Sequence, residues 1–146
     1  MTFANNFTIV ITKPTKGEKM SHKIVSTDKA PAAVGPYSQG CIGGGLLFIS
    51  GQIPVNPATG EMVTDDIVSA TRQSMENLLA VLRASGDGAH LVKVTIFLTD
   101  MNNFGAVNEV YASFFDSEPP ARACIEVAAL PKGAPIEIEG IAVLPE

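Results

Sequence analysis

The apolar positions of this chain change period along its length, from two to about 3.6 and back, which predicts alternating strands and helices. His22 to Ser26 reads as a short strand, followed by a Pro/Ala/Gly loop to Pro36. Tyr37 to Gly43 and Leu46 to Ser50 then flank the Gly43-Gly44-Gly45 turn as a hairpin. Gln52 to Thr64 is punctuated by Pro54 and by an Asn56-Pro57-Ala58-Thr59-Gly60 turn. From Asp65 the apolar positions Ile67, Ala70, Leu78, Val81 and Leu82 recur at helical spacing, with Thr64 or Asp65 as cap and Gly86 as stop. Leu91 to Thr99 is a β-branched strand, and Phe104, Val107, Tyr111 and Phe114 mark a second amphipathic helix that ends before Pro119-Pro120. Arg122 to Ala129 and Ile136 to Leu144 close the chain as strands, joined by a turn at Pro131-Lys132-Gly133. The order β-β-β-α-β-α-β-β predicts an α+β domain, a mixed sheet of about six strands with two helices covering one face.

The other sheet face is left without a helix to cover it. In the fifth strand the period of two places Arg122, Cys124 and Glu126 together and Ala123, Ile125 and Val127 opposite, and the small apolar set is expected to face the helices. In the sixth, Glu137, Glu139, Ile141 and Val143 share one face and Ile136 and Ile138 the other. Charges then collect on the uncovered face. Either that face is wet, or it meets another subunit in a polar pocket where each charge finds a partner, since buried unpaired charge is costly.

Composition narrows the function classes. The chain has 146 residues, 46% hydrophobic and 17% charged, enough for one domain with a real core. Its apolar runs fall short of the roughly 18 residues of a membrane-spanning helix, so no membrane partner is expected. Cys41 and Cys124 lie far apart and outside any CxxC pair, which fits a reducing, cytoplasmic setting. The net charge is -5, and from residue 21 onward 7 basic residues face 14 acidic ones, so nucleic acid is not the expected partner. Residues 1–20, with Pro14 and Gly17, read as a flexible extension or a start upstream of Met20, and fit neither a secretory signal nor a transit peptide.

Of the three arginines, Arg72 and Arg83 fall in a helical stretch with a solvated face, whereas Arg122 follows a double proline and opens a strand. An arginine fork can grip a carboxylate with two parallel hydrogen bonds, and a nearby carboxyl can position or move a proton. Cys124 reads as a small buried strand cysteine, because His22 and His90 offer no dyad spacing. Neither the histidines nor the cysteines have metal-ligand spacing. The triple glycine lacks a following Gly-Lys-Ser/Thr and reads as a turn. Ser50-Gly51 at a strand end can present backbone N–H groups to a ligand or simply end the strand, Tyr37 can face a pocket or pack in the core or at an interface, and Asn108 in the second helix reads as a solvated position.

The blocks Ala30-Pro-Ala-Ala-Val-Gly-Pro-Tyr-Ser-Gln-Gly40, Ser50-Gly-Gln-Ile-Pro54, Val107-Asn-Glu-Val-Tyr111 and Pro120-Ala-Arg-Ala-Cys-Ile-Glu-Val127, with Glu137, resemble those of the Rid family, RidA type, from about Ser21 to the C-terminus. The resemblance implies a chorismate-mutase-like fold and a homotrimer with three clefts between subunits. It further implies hydrolytic deamination of enamine and imine intermediates such as 2-aminoacrylate, 2-iminopropanoate and 2-iminobutanoate to 2-oxo acids and ammonia, with no cofactor. By similarity Arg122 would clamp the substrate carboxylate, Glu137 would hold and activate water, Cys124 would contribute backbone contacts, and Tyr37, Ser50, Gly51 and Asn108 would line the cleft, some from the adjacent subunit. The connection Phe115 to Pro120 looks shorter than in many relatives, which bears on the cleft rim and on substrate preference. Two other readings belong to different classes. One is a ribonuclease or translation inhibitor, which the acidic charge opposes; the other is a binding protein for small carboxylates or a holdase that uses the same clefts.

Overall fold

In the computed structural model residues 22–145 are described; the segment read as an extension, residues 1–20, lies outside them. Six strands form one sheet: β1 (Lys23–Val25), β2 (Gly40–Gly43), β3 (Leu46–Gln52), β4 (His90–Leu98), β5 (Ala121–Glu126) and β6 (Ile136–Val143). Their order is β1-β2-β3-β6-β4-β5. Only β4 and β5 run parallel, as a helical crossover between them requires. That crossover carries α2 (Phe104–Ala112), preceded by a single 3-10 turn at Met101–Asn103, while α1 (Ile67–Ala84) links β3 to β4. The last strand is thereby inserted into the middle of the sheet, between β3 and β4.

The expected α+β architecture holds, with both helices packed on one face. Leu47 and Ile49 of β3, Val94, Ile96 and Leu98 of β4, and Ile136, Ile138 and Ala142 of β6 meet Ala70, Met75, Leu78 and Val81 of α1 and Val107 and Tyr111 of α2. The β2–β3 hairpin closes through Gly44 and Gly45, at φ 59° and 78°, the left-handed conformation that a two-residue turn demands. Several ends shift from the sequence reading. The second strand begins at Gly40, leaving Tyr37 in the loop before it, and the helix cap is Asp66, whose Oδ1 accepts from the Ser69 amide at 2.8 Å. Neither Thr64 nor Asp65 takes that place, because the first helical turn starts at Ile67.

Two buried amides fasten the loops that flank the open face. Gln39 Nε2 donates to the carbonyls of Thr27, Ala30 and Pro31 at 3.0, 3.1 and 2.8 Å, and its Oε1 accepts from the Thr27 amide. Asn77, on the core side of α1, donates to the carbonyls of Ile53 and Val55 at 3.1 and 2.9 Å. Loops cannot satisfy their own backbone groups as a ladder does, so each amide substitutes for a missing strand partner. Replacing Gln39 by leucine strands four backbone groups near the core and is expected to lower the unfolding free energy by about 2–4 kcal/mol. Urea denaturation measures that directly.

Candidate active site

The two loops wall a cleft of about 720 Å³ on the open side of the sheet, lined among others by Tyr37, Ser50, Gly51, Lys132, Glu137 and Glu139. Its floor is made by a local irregularity. The β3–β6 register shifts between Ile49 and Gln52, so that Ser50 and Gly51 bulge out of the ladder, a device that re-aims side chains at functional sites. Ser50 uses its hydroxyl to donate to the Ser38 carbonyl at 2.6 Å, and its amide donates to the Gln39 carbonyl at 3.0 Å. Both bonds tie the Tyr37 loop to the floor.

Gly51 makes room for Glu137. A Cβ at position 51 would overlap the Glu137 carboxylate and come within 2.9 Å of its Cγ, so the acid lies directly against the bulged backbone. Half-buried there, Glu137 has its pKa raised, chiefly because burial disfavours the charged form and secondly because the Glu139 carboxylate is close. Such an acid can hold a proton in a pH range where an ordinary carboxylate has lost it.

Arg122, Asn108 and Cys124 form a second group elsewhere. Val94 and Ile96, in register with Arg122 and Cys124, point into the core, so Arg122 and Cys124 lie on the helix side of β5. Cys124 packs against the core cluster, while Ile125, 45% exposed, faces out. This overturns the expectation that Ala123, Ile125 and Val127 face the helices. The reason is position. β5 is the edge strand, and there α2 offers a surface of aromatic rings and an amide, on which an arginine stem and guanidinium pack as well as an aliphatic side chain would. Arg122 Nη1 donates to Asn108 Oδ1 at 2.9 Å, and its Cζ lies 4.8 Å from the centroid of Tyr111. Glu126, on the same side, accepts from the Met101 amide at 2.6 Å and so holds the turn that leads into α2.

The β6 faces do separate as the sequence pattern indicates, with Ile136 and Ile138 buried under the helices and Glu137 and Glu139 on the open side. Within one chain, therefore, Arg122 and Glu137 lie on opposite faces of the sheet. The Cys124 thiol has its pKa raised, by burial above all, with Arg122 pulling the other way; a protonated thiol is a poor nucleophile. Among the described residues no group of three or more His, Cys, Asp or Glu could hold a metal ion, and no helix is long and apolar enough to cross a membrane.

Residues 27–144 match the sequence model of a family described as endoribonuclease L-PSP. A Yersinia pestis structure described as belonging to the conserved Rid protein family superposes with a TM-score of 0.81, at 47% identity, over 85% of this chain and 100% of that one. The chain belongs to the Rid family. Within that family, the 2-iminobutanoate/2-iminopropanoate deaminase of Mus musculus is 48% identical over 122 residues, which cover 83% of this chain and 90% of the mouse protein. The structure of Escherichia coli TdcF with bound serine superposes with a TM-score of 0.79 at 46% identity, over 84% of this chain and 99% of TdcF. As a Rid protein the chain shares its sheet and two helices with the two solved relatives.

Proposed function

We propose that this protein hydrolyses small imino and enamino acids to 2-oxo acids and ammonia, in clefts formed between the subunits of a homotrimer. The observation that carries this reading is the pair of half-sites on opposite faces of one sheet. One is a guanidinium seated on α2 at the sheet edge, and the other a desolvated carboxylate at the β3 bulge. A second subunit's β5 edge laid against the open face would bring Arg122 to Glu137. Exposed apolar side chains on that face, Phe48 at 46%, Ile125 at 45% and Val143 at 38%, are suited to cover by another copy. The name of the mouse relative and the amino acid bound by TdcF support a substrate with a carboxylate beside a nitrogen-bearing carbon.

In this site Arg122 binds the substrate carboxylate through N–H groups not used by Asn108, which fixes the imine carbon over the bulge. Glu137 in its ionised form takes a proton from water as the oxygen attacks the C=N carbon and passes it to nitrogen, giving a carbinolamine. The remaining hydroxyl proton then reaches nitrogen by the same carboxylate as the C–N bond breaks, which leaves C=O and ammonia; an enamino acid first becomes the imine by gaining a proton at its terminal carbon and losing one from nitrogen. The reaction is redox-neutral, and water is its sole co-reactant. Because such imines hydrolyse unaided, orientation and a preplaced base account for the acceleration asked of the protein.

The test generates 2-aminoacrylate and 2-iminobutyrate in situ from serine and threonine with a PLP-dependent dehydratase, and traps the remaining imine with semicarbazide. The purified protein is expected to suppress trapping of at least one of them. Full trapping beside demonstrable binding of 2-oxo acids would instead favour the binding-protein reading, to which the serine held by TdcF lends weight.

The pH dependence follows from the environment of Glu137. Burial and Glu139 raise its pKa within one chain while Arg122 of a neighbouring subunit pulls it the other way, and activity that needs the ionised acid falls away as pH drops through it. Replacing Glu139 by glutamine removes one of the causes that raise this pKa, so the acidic limb of kcat/KM is expected to move to lower pH. A limb that stays in place or moves up contradicts this role for Glu139.

A further inference from the structure

The side of α2 that faces β5 carries Phe104, Asn108 and Tyr111, at spacings of four and three residues, which align on one helix stripe. The Arg122 guanidinium lies over this stripe, with Cζ 4.8 Å from the Tyr111 ring centroid and 5.7 Å from that of Phe104. Both rings do something besides packing. Tyr111, 4% exposed, lies in the core cluster against Phe115, and its hydroxyl has no hydrogen-bond partner among the described residues, so its contact with the guanidinium is through the ring and not the hydroxyl. Phe104 is 40% exposed and adds little to the core, yet it stands within cation–π range of the one arginine on the edge strand. The helix itself is tied to the strand that carries Arg122, because Glu126 accepts from the amide at the start of the preceding turn.

We propose that Tyr111 and Phe104 are positioning residues that hold the Arg122 guanidinium by their ring faces. Together with Asn108 on Nη1, they aim its remaining N–H groups at the substrate carboxylate. An arginine on an edge strand lacks a neighbouring strand to confine it, and four rotatable bonds would let its fork wander. Attraction of the cation to two rings removes that freedom without competing for the donors that the carboxylate needs. The hydrogen bond to Asn108 sets the rotation of the fork about its axis. This inference rests on Arg122 being the carboxylate clamp.

The test compares Phe104→Leu, Phe104→Tyr, Tyr111→Phe, Tyr111→Leu and Arg122→Ala in the full-length protein. The readouts are kcat and KM for 2-iminobutyrate formed in situ, and the Kd of 2-oxobutyrate by calorimetry. Loss of a ring face is expected to weaken binding of the carboxylate in ground and transition states alike, so KM and Kd rise while kcat is kept. For Phe104→Leu the expected rise is about 3- to 10-fold, in a protein whose oligomer mass by light scattering is that of wild type. Phe104→Tyr and Tyr111→Phe retain a ring face and are expected to stay near wild type, Tyr111→Phe with equal or greater thermal stability. Unchanged KM and Kd in Phe104→Leu overturn the proposal, as does a Tyr111→Phe defect equal to that of Tyr111→Leu, which would assign the role to the hydroxyl. If Arg122→Ala weakens 2-oxobutyrate binding and Phe104→Leu does not, only the aromatic seat is wrong. If Arg122→Ala binds as well as wild type, the clamp and its seat both fall.

Discussion

Replacing Arg122 by alanine is expected to lower kcat/KM for small imino acids by about 10²–10³-fold, the loss typical of removing a charge-assisted donor from a desolvated site. The fold should survive, because Arg122 is a half-buried side chain of the edge strand and its neighbours Cys124, Val94 and Tyr111 keep their own contacts with the core. Arg122→Lys is the informative intermediate. It retains the positive charge but not the planar fork, so it cannot bond the carboxylate bidentately while also donating to Asn108. Its activity should therefore fall between that of the alanine variant and wild type, with most of the loss in KM. Equal activity of wild type and Arg122→Ala, measured by semicarbazide trapping, contradicts the assignment.

Gly51→Ala has the second-largest expected effect, through one added methyl group. The backbone at Gly51 is not in the left-handed region, so alanine suits it conformationally. The new Cβ, however, would occupy the space of the Glu137 carboxylate. The acid must swing away, which a flexible side chain does at small cost to stability but at large cost to a water that has to be held within about 3 Å of it. A misplacement of about 1 Å is enough for a loss on the order of 10²-fold in kcat. The variant should unfold at nearly the wild-type urea concentration and bind 2-oxo acids through Arg122 with little change. A Gly51→Ala enzyme of full kcat would show that Glu137 is not the water-holding group.

The strand and helix order was legible because each element carries a clean period: α1 repeats apolar residues on one side, and β6 alternates Ile and Glu. The placement of Arg122 was not. Alternation shows which residues share a face but not which face the helices cover, and on β5 the rule that aliphatic residues go inward chose the wrong one. The signal that could have corrected it lies in α2, where Phe104, Asn108 and Tyr111 form a stripe able to receive a cation. Gln39 and Asn77 were overlooked for a related reason. A lone amide in an apolar pattern reads as an interruption until the loops whose carbonyls it holds are in place. Asn77 did leave a trace, as a polar residue on the apolar face of α1. The nearness of Glu137 to Gly51 depends on a register shift between two strands distant in sequence, which local patterns do not encode.

Arg122 of one subunit is expected to serve Glu137 of another, and mixing two disabled proteins tests this most directly. Arg122→Ala and Glu137→Gln are each expected to be inactive alone. Unfolded together and refolded as mixed trimers, they should restore about a quarter of the wild-type activity, because that share of the interfaces joins an intact Arg122 to an intact Glu137. Mixed oligomers that form, as native mass spectrometry would show, yet recover nothing beyond the separate variants would contradict the shared site and return both groups to a single chain.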